Sequence, residues 1–291
     1  MIVDTHHHLW LINQSDLWWL SEEERKIGGP HLNDFGPTEM REAFDTVGVQ
    51  HSVLVEAWAD EHDQHYWLNV AEQNKTIGAV IAAGDFSSPQ IGELTDRLQT
   101  YSKFRGLRLV GQGISDSNYL ARDDIRRGVR DIASRDNVSI DLLLKIEDLK
   151  DVPRLAEENP NLPMILNHLA KPQTSQAGYF IPWAEKIELL RPYPQIKFKI
   201  SGMLTEAGPD PAADLLRPAV QFMIETFGRE RLMWGSDWPV SLQAGSYRDN
   251  FETTMDAMGP MDATETEMFL SQNAIDYYRI KTPEEDRANE D

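Results

Sequence analysis

Eight short β-rich runs alternate with segments of helical spacing along most of the 291-residue chain. Regular alternation of this kind is typical of a parallel sheet, because each helix carries the chain back to start the next parallel strand. Eight units without a break in composition favour one closed (β/α)8 barrel, the α/β TIM barrel. An open doubly wound sheet is the alternative. The predicted strands are residues 2–8, 51–57, 77–84, 105–110, 138–145, 162–168, 195–202 and 231–237.

The barrel is expected to fill residues 1–281 as one domain, followed by an acidic tail over residues 282–291 without apolar periodicity. The connection from residue 11 to residue 37 is unusually long and carries Trp18 and Trp19, so we expect it to lie over the mouth of the barrel. Apolar spacing predicts helices over residues 38–47, 60–74, 91–101, 123–134, 149–158, 183–190, 214–227 and 265–278.

The net charge of −20, from 48 acidic and 28 basic residues, argues against two classes of partner. Nucleic acid binding needs a basic face, and an anionic membrane surface would repel the chain. The absence of cysteine excludes disulfides, thiolate metal sites and a cysteine nucleophile. No apolar run of about 18 residues and no signal-peptide pattern is present, so a cytoplasmic enzyme is expected. The sequence leaves a homodimer open.

The first predicted strand carries three consecutive histidines after an aspartate. Because side chains alternate across a strand, Asp4, His6 and His8 are predicted to share one face, whereas His7 lies on the other and is interpreted as structural. Catalytic groups of such barrels come from the C-terminal ends of the strands. Neutral imidazole binds zinc and similar ions, so His6 and His8 are candidate metal ligands. Hydrogen-bonded core histidines are the alternative.

The eighth predicted strand ends in Asp237, on the same face as Gly235. A carboxylate at the end of an apolar strand needs a partner or a function, since its burial costs free energy. Closure of the barrel makes the first and eighth strands neighbours, so Asp237 is predicted beside His6 and His8. A helix N-cap or a buried ion pair is the alternative interpretation of Asp237.

The seventh predicted strand alternates between apolar residues and the polar residues Lys197, Lys199 and Ser201. The apolar face should pack against helices, so the polar face is predicted to point into the barrel. Lys199 is then either a catalytic group that binds a carbonyl or carboxylate, or a paired structural lysine. His168, at the end of the sixth predicted strand, is a further catalytic candidate.

Two charged residues near other strand ends have two interpretations each. Glu56 is a candidate third metal ligand or the partner of a lysine, and Arg108 would either meet an anionic substrate or pair with a carboxylate. Five tryptophans near the mouth would either line it or serve packing; these are Trp10, Trp18, Trp19, Trp58 and Trp238. The candidate substrate-binding residues are Arg108, Trp10, Lys171 and Trp238.

Six segments, spread over almost the whole chain, resemble in family order the lactonase branch of the amidohydrolase superfamily. This branch includes L-fuconolactonase-like and L-rhamnonolactonase-like enzymes. The Asp-x-His-x-His pattern is shared by a broad superfamily, whereas NHLAKP and GSDWPV are more specific to the branch. The six segments are VDTHHHLW (3–10), GLRLV (106–110), LNHLAKP (166–172), FKISGM (198–203), TEA (205–207) and LMWGSDWPV (232–240).

The resemblance implies a (β/α)8 fold, hydrolysis of a cyclic ester and a site built from His6, His8, His168 and Asp237. It implies at most one divalent metal ion, with zinc expected, and leaves metal-free catalysis open, because the branch includes both kinds of enzyme. Glu56 stands where relatives often have glutamine, and its carboxylate would strengthen a cation site.

The predicted reaction opens a small lactone, sugar-derived and of the 1,4 or 1,5 type, by attack of water on the carbonyl. Asp237 takes a proton from the water and later helps to deliver it to the leaving ring oxygen. A divalent ion would polarise the carbonyl; without one, His168, Lys199 or Arg108 must stabilise the oxyanion. A lactone isomerase or a decarboxylase on the same scaffold is the first alternative. A non-catalytic ligand-binding barrel is the second.

Overall fold

The strands form a closed ring in the computed structural model, which describes residues 1–15, 17, 19–58, 61–208 and 212–281. Between the last strand and the first, the His8 N–H donates to Trp238 O and the Asp237 N–H donates to His6 O, both at 2.7 Å. The predicted (β/α)8 barrel is confirmed, and the open sheet is excluded. In sequence order the parallel strands are β1 Val3–His7, β2 His51–Val55, β3 Ile77–Ala83, β4 Phe104–Val110, β5 Ser139–Leu143, β6 Met164–Leu166, β7 Ile196–Ile200 and β8 Leu232–Trp234.

Helices connect the strands and form the outer layer of the barrel. In chain order they are α1 Glu22–Ile27, α2 Pro37–Asp45, α3 Glu61–Gln73, α4 Ile91–Leu98, α5 Asp123–Ala133, α6 Val152–Glu158, α7 Phe180–Glu188, α8 Met203–Ala207, α9 Ala213–Phe227, α10 Tyr247–Met258, α11 Ala263–Glu267 and α12 Asn273–Tyr278. Each predicted helix overlaps one of these, but α1, α8 and α10 are additional. α10 begins at a capping box between Ser246 and Asp249, a signal that apolar spacing does not contain. None of the described helices is long and apolar enough to cross a bilayer. The predicted tail lies outside the described residues.

Alternating strand side chains build two apolar layers. In β7 the Phe198 ring lies 4.4 Å from the Phe227 ring of α9, between centroids, whereas Lys199 on the opposite face is fully buried. The predicted orientation of β7 is confirmed. A second apolar cluster fills the ring and includes residues from five strands, with Tyr278 and Ile280 near the C-terminal end of α12. The strand residues are Val3, Val53, Val55, Ala79, Ile81, Ile165 and Met233.

A β-bulge in β1 changes which of its residues face the mouth. Asp4 pairs with Ser52 and His7 pairs with Leu54, so β1 advances three residues while β2 advances two. The additional residue shifts the alternation of side chains by one position. His7 therefore lies on the same side as Ser52, and its Nε2 is 3.0 Å from the Ser52 hydroxyl. The structural interpretation of His7 agrees with this contact.

Asp4 does not join the metal-ligand candidates of β1. Its carboxylate accepts hydrogen bonds from the Ser236 N–H at 2.9 Å, the Ser236 hydroxyl at 2.6 Å and the Tyr247 hydroxyl of α10 at 2.8 Å. The prediction that Asp4 shares a face with His6 and His8 is wrong, because the bulge breaks the period of two. Asp4 instead ties β1 to the chain after β8 and to the outer helix layer.

Candidate active site

Four ionisable side chains meet at the C-terminal end of the barrel. Oδ1 of Asp237 lies 3.3 Å from Nε2 of His8 and 3.7 Å from Nε2 of both His6 and His168. No side chain of the four is more than 8% exposed. His6 lies in β1, His8 directly follows it, and the other two follow β6 and β8. The structure thus brings Asp237 beside His6 and His8, the neighbours that barrel closure predicts.

Asp237 lies in a turn and not in a strand. β8 ends at Trp234, so the predicted strand is too long, and alternation does not set the direction of Asp237. Its φ of 58° is in the left-handed region, which non-glycine residues rarely adopt but aspartate and asparagine tolerate best. The bond from its N–H to His6 O holds the turn against β1.

A left-handed turn directs His168 into the mouth. β6 ends at Leu166, and residues 168–171 all have φ between 48° and 58°. Each left-handed non-glycine residue costs about 1–2 kcal/mol, so the turn needs support from elsewhere. The Trp183 indole of α7 gives such support by donating to Leu169 O at 2.8 Å. The predicted sixth strand is too long, and its alternation would have turned His168 towards the helices.

Gly202 leaves the space that His168 and Asp237 occupy. A Cβ at this position would lie 2.5 Å from Nδ1 of His168 and 3.2 Å from Oδ2 of Asp237. Gly202 also has a φ of 64°, which favours glycine. The preceding Ser201 places its hydroxyl 2.9 Å from Nδ1 of His168. The segment after β7 therefore positions the His168 imidazole through the Ser201 hydroxyl and the space left at Gly202.

The side chains of the cluster offer ligand atoms for one cation. Nδ1 of His8 lies 2.8 Å from Val55 O, and a carbonyl only accepts, so Nδ1 carries a proton and Nε2, 3.3 Å from Oδ1 of Asp237, is the ligand atom that the neutral ring offers. Nε2 of His6 is buried and has no hydrogen-bond partner among the described residues. His6, His8 and Asp237 each offer a ligand atom, and these atoms lie within 4.8 Å of one another. Acceptor atoms that face each other at this separation are satisfied by a cation between them.

The charges of the site favour a base. Burial alone would raise the pKa of the Asp237 carboxyl, but His168, His8 and the positive charge of Lys171 lower that pKa below its ordinary value. Burial lowers the pKa of His168 to about 3. At neutral pH the site therefore contains an ionised carboxylate beside a neutral imidazole, which is the protonation state that a general base needs.

Glu56 and Arg108 form a buried ion pair beside this cluster. Oε1 of Glu56 accepts from Nε of Arg108 at 2.6 Å, and the side chains are 1% and 4% exposed. Arg108 therefore pairs with a carboxylate, one of its two predicted interpretations. The three residues whose ligand atoms lie close enough to share an ion are His6, His8 and Asp237. Glu56 is not among them, so the geometry does not support the prediction that it is a third metal ligand. Oε1 of its carboxylate binds the guanidinium, and Oε2 has no partner among the described residues.

A small cavity of about 100 Å³ opens over the cluster. Arg108 and Lys171 line it, as expected of candidate substrate-binding residues, and so does Trp19 from the long connection over the mouth. Gln112 and Leu143 also line it but carry no motif; their only signal in the sequence is their place at the ends of β4 and β5. The full lining is His8, Trp19, Ala57, Arg108, Gln112, Leu143, His168, Lys171, Asp237 and Val240.

The whole chain resembles one enzyme family. A sequence profile described as amidohydrolase matches residues 3–280. This chain belongs to the amidohydrolase family. It is 31% identical over 293 residues to an L-fucono-1,5-lactonase of Burkholderia ambifaria, with 98% of each chain covered. A second L-fucono-1,5-lactonase, from Burkholderia multivorans, is 28% identical over 255 residues, with 84% of each covered. The crystal structure of a Burkholderia multivorans amidohydrolase with bound zinc is 25% identical with a TM-score of 0.85, covering 97% of this chain and 100% of that one.

In this amidohydrolase, Lys199 lies beneath the site and does not line the small cavity. Its Nζ is 2.6 Å from Oδ2 of Asp141 and 3.4 Å from Nδ1 of His6, and both ionic side chains are 0% exposed. Burial lowers the pKa of Lys199, and Asp141 opposes that shift. These contacts match the paired-lysine interpretation, so Lys199 can act on the reaction only through His6.

The two predicted aromatic walls pack beside the cavity and not around it. The Trp10 ring stacks 6.2 Å from the His8 ring, and its indole N–H donates to Asn33 O at 3.0 Å. Trp238 packs against Phe35 at 4.9 Å between ring centroids. Neither lines the small cavity. Trp10 and Trp238 instead hold the connection after β1 against the barrel. Trp18 lies outside the described residues.

His7 provides a test of acid stability. Burial lowers its pKa to about 3 from an ordinary value of 6.5. Between these two pH values the unfolded chain binds more protons at this position, so stability falls as the pH decreases from 6.5 towards 3. His7→Gln keeps a polar group beside Ser52 and removes the imidazole that takes up a proton in this pH range. The slope of unfolding free energy against pH between about pH 4 and 6 should then decrease by up to about 1.4 kcal/mol per unit.

Urea denaturation of both proteins across that range measures the slope. His62→Gln, at an exposed position of α3, is the matched control and should leave the slope nearly unchanged. An equal slope in wild type and His7→Gln would contradict the prediction, because it would show that His7 takes up its proton equally in the folded and unfolded states.

Proposed function

We propose that this amidohydrolase opens small lactones to hydroxy acids, with Asp237 as the general base for the attacking water. The observation that carries the proposal is the buried Asp237 carboxylate, with its lowered pKa, at a cavity walled by His8 and His168. The two L-fucono-1,5-lactonases that match most of the chain support the same reaction class. Their names also support a sugar-derived lactone of the 1,5 type as a substrate, and we propose sugar 1,4- and 1,5-lactones as the substrate class.

The reaction balances with the groups of this cavity. The water oxygen forms a bond to the lactone carbonyl carbon while the Asp237 carboxylate accepts one of its protons. His168 offers Nε2–H to the developing oxyanion when the Ser201 hydroxyl donates to Nδ1. The ring C–O bond then breaks, and Asp237 returns the proton to the leaving ring oxygen. The product is a hydroxy acid, which releases a proton to solvent at neutral pH.

We propose that His6 and His8, with Asp237, hold one divalent ion, with zinc as the expected metal. Such an ion supplies Lewis-acid polarisation of a carbonyl oxygen. The role of the chain is to keep Nε2 of His8 unprotonated through its Nδ1 bond to Val55 O. Neutral imidazole is the form that binds a metal ion.

The charges of the cavity favour an uncharged substrate over a carboxylate. Arg108 is paired with Glu56 at 2.6 Å, and Lys171 is paired with Glu206 at 3.1 Å. Among the described residues that line the small cavity, these are the only lysine and arginine. A decarboxylase must bind an anionic group, and both cations here already have an anionic partner. This observation favours lactone hydrolysis over decarboxylation.

A pH-indicator assay with a panel of sugar 1,4- and 1,5-lactones tests the proposal. We expect release of one proton per lactone opened, with turnover of about 1–10³ per second on the preferred lactone. Removal of metal with a chelator should abolish most of this activity, and zinc should restore it. No acid release above the spontaneous rate from any lactone would refute lactone hydrolysis. Full activity of protein shown by elemental analysis to be metal-free would refute only the metal site.

A further inference from the structure

A second, larger cavity adjoins the small cavity over the catalytic cluster. Its volume is about 820 Å³, against about 100 Å³ for the small one. The two share the lining residues Trp19, Arg108 and Gln112, so a molecule in one can extend into the other. The walls of the large cavity come mainly from the ends of β2, β3 and β4 and from the start of α3. The proposed reaction uses none of this space.

Three side chains that line the large cavity each have a buried acceptor atom without a partner among the described residues. The atoms are Oε2 of Glu56, Oε1 of Gln64 and Oε1 of Gln112. Glu56 and Gln64 are only 1% and 4% exposed. Buried acceptors are stabilised by donors, and a ligand with several hydroxyl groups supplies them.

Aromatic and charged residues narrow the class of ligand. Trp19 and Trp58 add indole surface to the cavity, which suits the apolar C–H face of a sugar ring. Arg108 is the only lysine or arginine among the described lining residues, and Glu56 already pairs with it. The exposed carboxylate of Asp85 lies on the same wall and would repel an anion. The cavity therefore suits an uncharged polyhydroxylated group.

We propose that the large cavity is a second subsite that binds a neutral glycosyl substituent carried by the lactone. This inference rests on the proposed function: the lactone ring lies over Asp237, and the attached sugar contacts Gln64 and Trp58. The preferred substrates are then lactones of oxidised disaccharides. Simple sugar lactones fill only the small cavity and leave the acceptors of the large one without donors.

Kinetics with matched substrates test the subsite. Glucono-1,5-lactone is compared with the 1,5-lactones of cellobionic and lactobionic acid, which carry a 1→4-linked sugar, and of melibionic acid, which carries a 1→6-linked sugar. At least one of the three glycosylated lactones should show a kcat/KM that is at least about fivefold above that of glucono-1,5-lactone. A factor of about five is the effect of about one net hydrogen bond. If simple lactones are opened and no glycosylated lactone is opened faster, the subsite is wrong and the proposed function stands. If no lactone is opened, the proposed function itself fails.

Gln64→Met locates the effect in the large cavity, because Gln64 does not line the small one. The variant should lose about fivefold in kcat/KM on the preferred glycosylated lactone and keep its activity on glucono-1,5-lactone. Gln73→Met, at an exposed position of the same helix α3, is the matched control and should change neither value. Equal losses on both substrates would overturn the assignment of Gln64 to a sugar subsite, and the wild-type comparison tests the proposal even if this variant does not fold.

Discussion

Asp237→Asn should reduce kcat for lactone opening by about 10³-fold while the protein stays folded, because general-base catalysis contributes about 10²–10⁴-fold. Asparagine has nearly the same size as aspartate and also tolerates the left-handed φ of 58° at this position. The substitution therefore removes the base, changes one proposed ligand of the ion and leaves the turn after β8 unchanged. Initial rates, with circular dichroism and the thermal midpoint as measures of folding, give the result.

Asp45→Asn is the control for the chemistry of the substitution. Asp45 is exposed at the end of α2, far along the chain from every residue of the cluster, and its variant should keep wild-type turnover. A folded Asp237→Asn protein with near-wild-type kcat would show that another group takes the proton from water. In that case the histidines would have to be tested as the base.

Lys199→Met should have the largest effect on stability. Lys199 and Asp141 form an ion pair in which neither side chain is exposed, and Asn167 also donates to Asp141 at 3.0 Å. Removal of the ammonium leaves a carboxylate without its counter-ion in the centre of the barrel. Loss of one partner of a buried pair costs about 3–5 kcal/mol, which corresponds to about 5–10 °C in the thermal midpoint for a chain of this size.

Lys197→Met is the control, since Lys197 points to the same face of β7 but is only half-buried beside the ring of Tyr277. It should lose much less stability than Lys199→Met. The double variant Lys199→Met with Asp141→Leu should regain part of the loss, because it removes the unpaired charge. If Lys199→Met is as stable as wild type, the buried pair of Lys199 and Asp141 does not stabilise the fold.

The barrel and the meeting of its first and last strands could be predicted because they depend on repeated local patterns. Alternation of apolar residues marks each strand, and eight similar units leave few ways to arrange a parallel sheet. The same alternation predicts that Lys199 lies on the face of β7 that points into the barrel. Closure of the ring then places Asp237 beside His6 and His8 without any knowledge of individual contacts.

The exceptions arise where the chain departs from period two. The bulge in β1 moved Asp4 out of the predicted group, and the left-handed turn at residues 168–171 placed His168 in the mouth against the strand pattern. Partner choice was also not predictable, since the pairing of Arg108 with Glu56 depends on distances between separate strands. Asp141 did give a signal: a carboxylate within the apolar segment VSIDLLLK must have a buried partner.

The mouth of this barrel is divided between two sets of strand ends. The cluster around Asp237 stands on β1, β6 and β8, whereas the wall of the 820 Å³ cavity stands on β2, β3, β4 and α3. Substitutions after β2 to β4 can therefore alter the shape of an accepted molecule while the groups that move protons keep their positions. Relatives that share the catalytic half can diverge in substrate choice through the other half alone, and a library confined to those three loops is the natural route to new selectivity.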